Sequence, residues 1–108
     1  MPLYSIIILI DFFLLHYIMV LTYKQQFNKK YGQPQSQSNS IADIARLTGY
    51  KKAGLQTIFN KGIGAYKTNP GSVRPSVKSP EQWAYSRLYA SVNPKSKAYK
   101  IDKIHLKK

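Results

Sequence analysis

The chain is expected to be mainly α: a single N-terminal transmembrane helix followed by a small basic domain of about three short helices with long irregular loops. Three observations lead there. Leu3–Tyr23 is an almost uninterrupted apolar run, every Lys and Arg lies beyond it, and the remaining sequence shows short helix-spaced apolar stripes between Gly, Pro and Ser clusters. The expected organisation is 1–23 anchor, 24–40 basic collar and polar linker, 41–94 helical domain and 95–108 basic tail.

The anchor reading rests on length and polarity. At a helical rise of about 1.5 Å per residue the run reaches roughly 31 Å, close to a bilayer's hydrocarbon thickness. Pro2 suits a helix start, and Tyr4, Tyr17 and Tyr23 suit the two headgroup layers. Leu3, Ile7, Phe12, Leu15 and Met19 supply the lipid-compatible surface. Asp11 and His16 are its polar exceptions, and Asp11 is expected to be protonated or paired in a membrane. No basic residue precedes the run and no small-residue cleavage site follows it, which disfavours a signal peptide. A buried core helix has too little chain to surround it, and a surface-lying helix lacks its polar face. Lys24, Lys29 and Lys30 follow the run directly, so the positive-inside rule keeps the C-terminal domain in the cytosol.

Charge bounds the partners. All 17 Lys and Arg follow Tyr23, against only Asp43, Glu81 and Asp102, leaving residues 24–108 with a net +14. Such a domain seeks nucleic acid, anionic lipid or an acidic protein face. There is no cysteine, hence no disulfide and no cysteine-bound metal; no cofactor or metal site is expected. Three acids and His105 are a poor inventory for acid–base chemistry, and Lys61-Gly62-Ile63-Gly64 lacks the spacing of a phosphate loop, so an enzyme is not expected.

Within the basic part, Gln33–Ser40 reads as a low-complexity spacer. Ser40 and Asp43 form a capping box ahead of Ile41, Ile44, Ala45 and Leu47, with Gly49 as the stop. A second helix is expected from about Lys51 to Asn60 on Leu55, Ile58 and Phe59, with Gly62 ending it. Lys61–Pro80 reads as a long irregular arm, studded by Lys61, Tyr66, Lys67, Arg74 and Lys78 and expected to lie on a partner. Ser79-Pro80-Glu81-Gln82 is a strong helix start, and Ala84, Tyr85, Leu88 and Val92 mark that helix's buried stripe. Trp83, Arg87 and Tyr89 complete the expected partner surface. The tail's Ile101, Ile104 and Leu106 suit a short amphipathic end, with His105 at the surface.

Two resemblances add to this. Ser40–Asn60 resembles the helix-turn-helix of lac-repressor-type regulators, through Ile41, Asp43, Ile44, Ala45, Gly49 and Asn60. That resemblance implies a nucleic-acid interface at Lys51, Lys52 and Gln56, with Gly54 as a weak point in the recognition helix.

The second covers about Ile41–Leu106. Thr48-Gly49-Tyr50-Lys51, Gly54-Leu55, Lys61-Gly62-x-Gly64-Ala65-Tyr66, Ser72-Val73-Arg74-Pro75 and Gln82-Trp83-Ala84-x-x-Arg87-x-Tyr89 occur in that order. This resembles a domain of unknown function found in large double-stranded DNA viruses, chlorovirus-like giant viruses among them, and in related form in phages. The resemblance implies a virion component, a minor capsid protein at the interface of internal membrane and shell. Its implied partners are the major and other minor capsid proteins and the lipid bilayer, with no small-molecule substrate. The resemblance brings no catalytic residues, and the pattern requires neither the N-terminal span nor the Asn93-Pro94 break.

Overall fold

A computed structural model describes residues 21–69 and 77–108, which are mainly helical. Most of the expected membrane span, including Leu3, Ile7, Asp11, Phe12, Leu15, His16 and Met19, lies outside the described residues, as does Arg74. Among the described residues no helix is long and apolar enough to cross a membrane. They form α1 (Tyr23–Lys30), α2 (Ile41–Thr48), α3 (Lys52–Thr68), α4 (Pro80–Ser91) and α5 (Lys97–Asp102), then a 3-10 turn at Lys103–His105. This is five helices where the sequence predicted about three.

The extra helices come from the flanks. Thr22 opens α1 with a full capping box: its hydroxyl accepts from the Gln25 N–H, and the Gln25 side chain accepts from the Thr22 N–H. Thr22 is extended, at φ −66° and ψ 161°, so α1 begins as a new helix there. The basic collar therefore folds, burying Phe27 and Asn28. At the other end, the Ser96 hydroxyl accepts from the Tyr99 N–H to cap α5.

The loop from Gly32 to Ser40 is wrapped around Asn28, which is fully buried. The Asn28 amide nitrogen donates to the carbonyls of Gln35 and Gln37 at 2.9 and 3.0 Å. Its amide oxygen accepts from Asn39 and Gln33 at 2.9 and 3.1 Å. Asn39 in turn donates to the Tyr89 hydroxyl on α4, at 3.1 Å from its side chain. The stretch expected to be a spacer is tied to two helices by side-chain amides, because polar residues satisfy buried loop carbonyls as apolar ones cannot.

Several sequence expectations hold at residue level. Ser40 and Asp43 make the capping box of α2, and Gly49 ends it in the left-handed region at φ 79°. Ser79 caps α4 with Pro80 at its start, but Gln82 accepts from the Lys78 N–H rather than closing a box on Ser79. Ile44, Leu55, Ile58, Ala84 and Leu88 are fully buried. Each large member contributes about 1.5–3 kcal/mol by leaving water.

One helix boundary is corrected. α3 does not end at Gly62; it runs to Thr68 through both Gly62 and Gly64, so the first part of the expected Lys61–Pro80 arm, as far as Thr68, is helical. The reason is packing between α3 and α4, the most extensive helix pair. A Cβ built on Gly62 lies 2.8 Å from the Ala84 Cα, so the bare glycine lets the two backbones meet. Gly54 plays the same part for the C-terminal turn: a Cβ there would stand 1.8 Å from the His105 carbonyl oxygen. Close approach outweighs the roughly 1 kcal/mol that a helical glycine costs. Gly62→Ala is expected to destabilise the domain by about 1–3 kcal/mol through overpacking. Gly64→Ala, with open space around it, should be neutral or stabilising. Chemical denaturation of the two variants separates these outcomes.

Candidate interaction surface

Six of the expected partner residues are held on α3 and α4, and the structure divides them by direction. Lys61 and Lys67 are exposed on α3 and Tyr66 is half-buried; Lys78 is exposed just ahead of α4. Trp83 is half-buried on α4. Tyr89 points inward: it is 3% exposed, stacks edge-on with Phe27 at 5.3 Å, and holds Asn39. Its expected role at a partner surface is therefore replaced by a structural one.

Arg87 is likewise committed internally. Its Nε and Nη2 donate to the two carboxylate oxygens of Asp102 at 3.0 and 2.9 Å, a bidentate pair. The Ser91 hydroxyl donates to the same carboxylate at 2.6 Å. Burial works against ionisation of Asp102. The hydrogen bonds from Arg87 and Ser91, with the charges of Arg87 and Lys61, more than offset it and hold the carboxyl below its ordinary value. This acid fastens α5 to α4, and no spacing rule pointed to it. The signal available in sequence was its isolation: Asp102 is the sole acid of a lysine-rich tail, where pairing is the usual reason for one.

Between α1, the loop at Ser38–Ser40 and α4 lies a groove of about 1310 Å³. Lys24, Gln26, Asp43, Trp83 and Arg87 are among its lining residues. Tyr23, the last residue of the expected span, lines it too, and is 40% exposed. The groove thus joins the start of the folded domain to Trp83. Asp43 bounds it on the other side, and it is occupied locally. The Ser40 backbone N–H and hydroxyl, then the Arg46 side chain, hold its carboxyl below the ordinary value.

The residues of the nucleic-acid alternative are also placed. Lys51 precedes α3 and its N–H donates to the Lys107 carbonyl at 2.6 Å. Lys52 is exposed, while the Gln56 side chain donates to Asn60 one turn on, at 3.0 Å. The helix pair and the left-handed Gly49 suit a helix-turn-helix, but the C-terminal turn closes over Gly54 at the start of α3. That covers one side of the turn a recognition helix would lead with.

A family of unknown function, DUF5824, matches residues 19–105. The chain belongs to that family. The DUF5824 stretch takes in α1, the Asn28-centred loop and the tail as far as His105, so collar and tail belong to the family unit along with the central helices. No curated protein and no solved structure matches the chain.

Proposed function

We propose that this DUF5824 chain is a structural adaptor: the apolar run that begins at Leu3 and precedes α1 anchors it in a membrane, and its basic domain holds an acidic protein surface against that membrane from the cytosolic side. The viral resemblance gives the setting, a minor capsid protein linking the internal membrane of a large icosahedral DNA virus to neighbouring capsid proteins. The observation that carries the reading is how the acids are used. Asp102 is consumed inside the fold and Asp43 at the start of α2, while lysines on α1, α3 and α5 remain exposed. What the domain offers a partner is almost uniformly positive, and the groove beside Trp83 adds an apolar foothold.

Trp83→Ala tests this reading, with the anchor intact. Incorporation into particles should fall several-fold while membrane insertion is retained. Normal incorporation would sink the groove as the docking surface. The second reading, a tethered duplex-binding protein, is favoured by the α2–Gly49–α3 geometry. It requires tight duplex binding that weakens steeply with salt and is lost on Lys52→Glu.

A further inference from the structure

Among the described residues the two most exposed large apolar side chains, well beyond Tyr23, are both in the tail. Ile101 is 69% exposed and Ile104 is 63% exposed. Between them in sequence is Asp102, 1% exposed and clamped by Arg87 and Ser91. That clamp fixes the rotation of α5. With Asp102 turned to the core, its neighbours Ile101 and Lys103 are turned out. Lys97, Lys100 and Ile101 follow the i, i+3, i+4 spacing of one helical face, continued by Ile104 in the next turn. Lys97, Lys100 and Lys103 are all exposed. The result is a rigid face of two isoleucines set among lysines.

We propose that this C-terminal face lies on an anionic lipid surface, Ile101 and Ile104 entering the headgroup–acyl boundary while Lys97, Lys100 and Lys103 meet anionic headgroups. Charge decides for lipid: the apolar element is too small to bury alone, and three flanking cations on flexible stems suit a surface that is negative everywhere rather than at one point. The inference rests on the proposed anchor, which keeps the domain beside a bilayer. It adds a second membrane contact, at the opposite end of the folded unit in sequence. The Asp102 clamp is then what presents this face, so core and lipid contact are set by one buried acid.

The chain has no cysteine, so Ile104→Cys can carry a single polarity-sensitive fluorophore, with Ala42→Cys on the exposed side of α2 as reference. The full chain is added to vesicles of phosphatidylcholine alone, and of phosphatidylcholine with phosphatidylserine. The expected result is a blue shift and quenching by brominated lipid at 104, only with phosphatidylserine, absent at 42 and lost in Lys97→Gln/Lys100→Gln/Lys103→Gln. Co-flotation with both vesicles without a shift at 104 overturns the inference and leaves the anchor standing. Flotation only with phosphatidylserine, with the shift at 104, removes the anchor and keeps the lipid face. Equal shifts at 42 and 104, or a shift at 104 produced by polyglutamate and not by vesicles, overturn the lipid assignment.

Discussion

Asp102→Ala is expected to lower the unfolding free energy by about 3–5 kcal/mol, the usual cost of removing one partner from a buried ion pair. Asp102 is 1% exposed and Arg87 25%, so neither water nor salt can easily replace the lost carboxylate. The substitution leaves the Arg87 guanidinium and the Ser91 hydroxyl without their acceptor, and frees α5 from α4. Asp102→Asn, which keeps shape and one acceptor, should cost less. The pH dependence has a definite sign. The folded carboxyl sits below its ordinary value of 3.8, so its stabilisation is present above that value and disappears as pH falls through the folded value. Asp102→Asn should therefore flatten part of the stability loss below about pH 4. Denaturant titrations followed by helical circular dichroism at neutral and acid pH check both statements. Asp43, also lowered, contributes its own share to the acid limb and is unaffected by the substitution.

Asn28→Ala is the second large expected effect. The side chain makes four hydrogen bonds, to the carbonyls of Gln35 and Gln37 and to the amides of Gln33 and Asn39, and is fully buried. Each group left unpaired in the interior costs about 1–3 kcal/mol, relieved where the loop opens to water. We expect a loss of about 2–4 kcal/mol, on the same principle. The loss should come with faster hydrogen exchange from Gly32 to Ser40 and little change in α3 or α4. Asn28→Asp keeps the acceptor but removes the donor to Gln35 and Gln37, placing a carboxylate against two carbonyls, and should be comparably harmful. A variant that unfolds with wild-type stability and exchange would show that the loop is held by something other than this network.

The central helices were legible because their signals are local. Ser40 with Asp43, Gly49, and Ser79-Pro80 act within one turn, and the apolar stripes of α2, α3 and α4 face the core at Ile41, Ile44, Leu55, Ile58, Ala84, Leu88 and Val92. What was not legible depends on partners distant in sequence. Gly62 reads as a helix stop until Ala84 is known to pack on it, and Gly54 as a weakness until the His105 carbonyl is known to need the space. The Gln-rich loop reads as a spacer because its organising residue, Asn28, lies on another element. Arg87 and Tyr89 read as partner contacts because Asp102 and Asn39, which occupy them, lie 15 residues ahead and 50 behind. His105, expected at the surface, is half-buried and its Nε2 is enclosed without a hydrogen-bond partner among the described residues.

The groove fared differently. Trp83 and its place on an open face of α4 followed from helix spacing, while the contribution of Lys24 and Tyr23 required α1 to be a helix in its own right. The capping box at Thr22 supplies that, opening α1 at Tyr23.

The most direct test is fractionation of purified virus particles and of the cells that produce them, by surface protease followed by stepwise detergent. The adaptor account predicts that the protein resists surface protease, stays with the shell, and leaves only when the internal membrane is extracted. A protein absent from particles and found instead with cellular membranes or chromatin would contradict it.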